Sequence, residues 1–239
     1  MKQSNRRDFL KKLAMTTGAV VLMPAVSACK SGPEPTPEEP KTDTPAADAP
    51  ESQPAKSEAA APAAPPLTKP ADWDAIAYNK ERGNAGAIPE SYLGKVNGAD
   101  GDAKHLGKHL PYIPTLDEGA VPAGFIALMW GDPAKGHAKH PNAVRSDANN
   151  NEGHWYNWIR VRKAVEGDAE ELESSYAEWP GADADAGKYA VFGGGDITAE
   201  SGKNTIYMTA LPADVQPGDT IRIHAHCLTH GEYVDFITV

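Results

Sequence analysis

Thr220-Ile221-Arg222-Ile223-His224-Ala225-His226-Cys227-Leu228-Thr229-His230-Gly231 is the stretch from which this 239-residue chain is best read. Thr220–His226 is a short run rich in β-branched residues, framed on its N-terminal side by the turn cluster Gln216-Pro217-Gly218-Asp219, and it reads as a strand. Its far end carries chemistry. Cys227 stands three residues before His230, and a thiol plus an imidazole at that spacing is a soft-and-borderline donor pair for a metal. Taken alone, the same spacing also fits a buried thiol beside a surface histidine.

Working outward, the runs Phe125–Trp130, Trp155–Val161, Thr205–Thr209 and Tyr233–Ile237 have the same β-branched and aromatic character, and Gly193-Gly194-Gly195-Asp196 supplies a further turn. Short strands with such punctuation predict an all-β sandwich. Helical patterning is confined to Glu166–Ala177 and Trp73–Arg82, both expected at the periphery. The acidic stretch from Glu166 to Asp185 lacks the ligand spacing of a calcium loop and reads as a solvated insertion.

The chain has two cysteines, and the first belongs to an export signal. Ser4-Asn5-Arg6-Arg7-Asp8-Phe9-Leu10-Lys11 is a twin-arginine n-region, and Leu13–Ala28 is a modestly apolar run interrupted by Gly18 and Pro24. Val26-Ser27-Ala28-Cys29 has the form of a lipobox, so cleavage before Cys29 and lipidation of its sulfur are expected. Residues 1–28 are then a signal peptide, and the remainder is periplasmic or otherwise extracytoplasmic, tethered to a membrane by lipid. Twin-arginine export moves proteins already folded, which suits a domain that takes up its metal inside the cell. From Cys29 to Pro70 the chain holds eleven prolines among Ala, Glu, Thr and Ser. With so little to bury, this segment is expected to be a disordered linker, and at about 3.1 Å per residue it reaches on the order of 100 Å.

Residues 71–239 are one domain's worth of chain. Residues 1–70 contain 9 of the 23 basic and 8 of the 33 acidic residues, so the domain nets −11. An acidic surface of that kind argues against nucleic acid and against flat binding to anionic lipid.

The domain's histidines supply the context that Cys227 needs. His109 lies in Gly107-Lys108-His109-Leu110-Pro111, His140 in His140-Pro141-Asn142, and His154 stands four residues before Trp158-Ile159. In order, and together with Cys227-x-x-His230-Gly231, these motifs resemble those of the superoxide reductase family, which includes the neelaredoxins and the iron domain of desulfoferrodoxin. The match spans His109 to Gly231. The resemblance implies an immunoglobulin-like β-sandwich holding one mononuclear non-haem iron. His109, His140, His154 and His230 would be the imidazole ligands, with the Cys227 thiolate axial and the position opposite sulfur open. It implies reduction of superoxide to hydrogen peroxide with electrons from an external donor, rubredoxin-like or another redox protein. Lys108 matches the family's lysine beside the first ligand, and its ammonium would attract superoxide and help deliver protons.

Three departures from the family stand out. Its glutamate before the lysine is Gly107 here, so the oxidised iron would lack that ligand. His140 and His154 are fourteen residues apart, where the family uses six, and the extra Ala143–Asn151 segment reads as a loop beside the site. Leu228 replaces the common asparagine after the cysteine. Spacing alone also leaves His137 as a competitor of His140, and Pro141 favours His140 by restricting the backbone before it. Two other classes remain open from sequence. A cupredoxin-like electron carrier would use Cys and His on a similar sandwich, but no methionine follows Met208; a metal-free, membrane-tethered binding module would leave the ordered histidines unexplained.

Overall fold

The computed structural model describes residues 62–147, 151–181 and 187–239. The signal peptide, Cys29 and most of the linker lie outside the described residues. Among the described residues, eight strands form two four-stranded antiparallel sheets. The first has the order β1 (Pro111–Tyr112), β2 (Phe125–Trp130), β6 (Thr205–Ala210), β5 (Tyr189–Val191). The second has the order β4 (Glu171–Ser175), β3 (Tyr156–Lys163), β7 (Thr220–Cys227), β8 (Gly231–Thr238). The molecule is an all-β sandwich.

Period-2 alternation explains the second sheet. Ile221, Ile223, Ala225 and Cys227 of β7 join Ile159 and Val161 of β3 in the core, facing Ile126, Leu128 and Trp130 of β2. Arg222, His224 and His226 point the other way, to partners Glu171, Glu232 and Asn157. In the first sheet β2 is apolar almost throughout, because both of its faces are covered. Ala127 and Met129 pack with Ile206 and Met208 beneath Tyr112 of β1 and Leu116 and Val121 of the segment that follows it. Aromatic rings fill the centre, with Trp130 stacked on Tyr156 at 4.1 Å between ring centroids and Tyr207 edge-on to both.

Helix α1 (Ala75–Arg82) falls within the expected Trp73–Arg82 and starts at Asp74, whose side chain accepts from the Ile76 and Ala77 amides. It lies along β8, where the Asn79 side-chain amide pairs with both the N–H and the carbonyl of Val234 and closes that sheet edge. Helix α2 (Glu90–Val96) follows, then a wide helical turn over Gly101–Leu106 and a tight one over Gly107–His109.

The expected helix over Glu166–Ala177 is not formed: Glu171–Ser175 is edge strand β4. Glu171 and Glu173 are exposed while Leu172 and Ser174 are half-buried, and the glutamates meet Arg222 and Arg160 across the sheet. Cross-strand pairing overrides the helical preference of Glu and Leu. At the other end, the last linker residues lie against the sandwich, since Arg222 donates to the carbonyls of Pro65 and Pro66, and Thr68 to Glu166.

Candidate metal centre

Five side chains from four segments converge at one end of the sandwich. His109 closes the tight turn before β1, His140 follows β2, His154 precedes β3, Cys227 ends β7 and His230 sits in the turn into β8. One donor atom from each lies within 4.8 Å of every other. Nε2 of His109 and Nε2 of His154 each stand 3.0 Å from Nδ1 of His230, while Cys227 Sγ is 3.6 Å from His140 Nε2 and 3.8 Å from His230 Nδ1.

Local structure explains the convergence. The turn between β7 and β8 is fastened to the segment around His154: the Leu228 amide donates to the Trp155 carbonyl, and the Thr229 hydroxyl to that of Gly153. His154 in turn exchanges both backbone hydrogen bonds with Ala143, at 2.8 Å each. This bridge joins Ala143 to His154, so a fourteen-residue spacing still delivers His140 and His154 to one point. Asn142 is anchored on three sides. Its amide donates to the Ser201 carbonyl, its side chain donates to the Gly202 carbonyl, and its Oδ1 accepts from the Tyr207 hydroxyl at 2.6 Å.

His109 Nδ1–H donates to the His105 carbonyl at 2.6 Å, which leaves Nε2 as a lone pair aimed into the cluster. A neutral His230 has at most one proton on Nδ1, and that proton cannot serve both Nε2 atoms 3.0 Å away. Burial disfavours protonation throughout. It depresses His109 and His140 well below the ordinary range and takes His154 to about 3 and His230 to about 2. Among the described residues, no carboxylate belongs to the group. Neutral imidazole lone pairs facing one another in a buried site are what a cation satisfies. Burial also raises the Cys227 thiol to about 12, opposed by the Thr229 and His230 amides and by Lys108. A bound cation reverses that, because a coordinating thiol is deprotonated outright. The donor set fits a transition metal that accepts imidazole and thiolate together, iron among them.

Lys108 is half-buried beside the cluster. Its ammonium sits 5.3 Å from the ring centre of Tyr92, and burial lowers its pKa to about 8, against the raising influence of Cys227. Gly107, immediately before Lys108, is buried. A Cβ there would come within 2.5 Å of the His137 ring and crowd the Asp102 carbonyl, so His137 fills the space a side chain would need. His137 itself is outside the ligand group, as are His224 and His226 on the opposite face of β7. Cys29 lies outside the described residues.

Two residues that pattern reading passed over belong to the site. Tyr92 of α2 stacks on the His230 ring, with centroids 3.8 Å apart and planes 22° apart, and its hydroxyl meets His105 Nδ1 at 2.8 Å. The only sequence hint is that His105 precedes His109 by one helical turn.

No protein-family model and no curated protein matches this chain. Among solved structures, a variant superoxide reductase (neelaredoxin) from Archaeoglobus fulgidus, in the reduced form, is similar at 18% identity over 56% of this chain and 89% of that one, with a TM-score of 0.29.

Proposed function

We propose that this chain is a superoxide reductase-like protein, which holds one iron ion through His109, His140, His154, His230 and Cys227 and reduces superoxide to hydrogen peroxide. The observation that carries this reading is the convergence of four imidazole nitrogens and one thiol sulfur within 4.8 Å. Iron held there supplies a one-electron couple, which is the chemistry that superoxide reduction requires.

The chain's residues do the rest. The His105 carbonyl fixes the tautomer of His109, and the Thr229 and His230 amides direct partial positive charge at the Cys227 sulfur. Lys108 places positive charge beside a domain that is otherwise acidic, and so draws a small anion to this end of the molecule. Superoxide takes up one electron and two protons to become hydrogen peroxide. A separate redox protein supplies the electron, and solvent supplies the protons by way of the Lys108 ammonium.

On the twin-arginine pair Arg6-Arg7 and the lipobox ending in Cys29, we propose in addition that the protein is exported by the twin-arginine route and held to a membrane through a lipid on Cys29. Lipid labelling that survives Cys29→Ala would refute the anchor. The catalytic reading is tested by metal analysis of protein purified from the cytoplasm, combined with superoxide consumption. One iron per chain, with peroxide formed and no oxygen evolved, is the expected result. A well-folded sample without stoichiometric iron, or with copper and no peroxide, would overturn it.

A further inference from the structure

We propose that Tyr92 and His105, both upstream of every motif that resembles a known family, are positioning residues that orient two metal ligands at once. This inference rests on the metal-centre reading above. The Tyr92 ring stacks on His230 at 3.8 Å and meets the His109 ring in a T-shaped arrangement, with centroids 6.0 Å apart and planes at 85°. The hydroxyl then reaches His105 Nδ1 at 2.8 Å, and the His105 backbone carbonyl accepts the Nδ1–H of His109 at 2.6 Å. The chain of contacts closes on itself, because His109 Nε2 stands 3.0 Å from His230 Nδ1.

A single tyrosine thereby holds one ligand directly by stacking and a second through the turn to which it is hydrogen-bonded. Tyr92 is 4% exposed, so the ring is fixed by its surroundings and can transmit that order. The two ligands concerned are 121 residues apart. The Tyr92–His105 link reduces the rotational freedom that each would lose on coordination. Removing the link should therefore loosen the metal and alter its electronic environment without removing a ligand.

The test uses the full chain loaded with iron and, separately, with cobalt(II), comparing Tyr92→Phe, His105→Ala and the double variant. Readouts are the rate of metal loss to excess EDTA, the visible spectrum and the midpoint potential of the iron. Tyr92→Phe keeps the stacked ring and loses only the hydroxyl. Each single variant is expected to release metal about 3- to 10-fold faster and to shift the potential. The double variant should be no worse than the worse single one, because both break the same hydrogen bond. Additive effects, or variants indistinguishable from wild type in release, spectrum and potential, would overturn the proposal. Wild-type protein that binds neither metal stoichiometrically would instead remove the metal-centre reading on which it stands, a different and separately visible outcome.

Discussion

The five candidate ligands are held by two different kinds of structure. Cys227 and His230 sit on the β7–β8 hairpin, paired in unbroken register from Thr220↔Thr238 to Cys227↔Gly231, and are only three residues apart. His109, His140 and His154 sit outside the strands, and the segment that carries His140 is held by bonds to distant residues: Asn142 reaches Gly202 and Tyr207, sixty and sixty-five residues away. The hairpin closes a small loop at little entropic cost, while each irregular segment must be fixed by specific contacts across the molecule. The hairpin half should therefore fail only when the fold fails, and the other half should be able to lose its ligand geometry while the sandwich survives.

The hardest blow to the hairpin half is Gly231→Ala. Gly231 has φ of 85°, in the left-handed region, and a Cβ there would overlap the carbonyl oxygen of Ala87. Backbone strain and a backbone clash add, and a loss of about 3 kcal/mol or more is expected. Urea unfolding should show the whole domain destabilised, with metal binding lost in parallel. An unchanged midpoint would mean that the hairpin is not the rigid half.

Asn142→Ala strikes the other half and should have the smaller effect on the fold. It removes the acceptor of the Tyr207 hydroxyl and the donor to the Gly202 carbonyl, both buried, at a cost of about 1–3 kcal/mol. His140 is two residues away, so metal release to a chelator should accelerate several-fold even where the sandwich remains fully folded. Release at the wild-type rate would show that Pro141 and the core alone hold His140, and the contrast between the halves would narrow.

That contrast also explains what could be read from sequence. Strands β2, β3, β6, β7 and β8 are legible because composition and punctuation are local properties, and the hairpin ligands follow from one motif. The meeting of His109, His140 and His154 with them is not a local property. Only resemblance to ordered motifs signals it, and its physical causes, among them the Ala143–His154 bridge and the bonds from Leu228 and Thr229 to the segment around His154, depend on tertiary folding. The β4 segment carries a helical pattern because Glu and Leu favour helices when nothing pairs with them, and here Arg160 and Arg222 do. Tyr92 and His105 carry no motif at all. Tyr92 acts through a stacking contact 138 residues along the chain, and no spacing rule encodes that.

The smallest expected effect sharpens the comparison by asking whether the hairpin half has a weak point of its own. Asp235 on β8 is 5% exposed, and its Oδ1 accepts from Trp73 Nε1 at 2.8 Å and from the Phe236 amide at 2.7 Å. Burial nevertheless dominates and raises its pKa above the ordinary aspartate range, against the lowering influence of those two hydrogen bonds and of Lys135 and Lys69. A carboxyl whose folded pKa exceeds its unfolded value favours the fold only in its neutral form. Its ionisation therefore costs stability, beginning as pH rises past the unfolded value of about 4 and complete once the folded pKa is passed. Asp235→Asn removes the charge while its Oδ1 can still accept both hydrogen bonds. The variant should melt a few degrees higher than wild type at pH 7, and the gain should vanish by pH 3, where wild-type Asp235 is protonated in both states. Metal release should not change at either pH, because the irregular half sets that rate. A gain that persists at pH 3 would trace the stabilisation to packing rather than to charge, and faster metal release would show that the hairpin transmits its strain to the ligands after all.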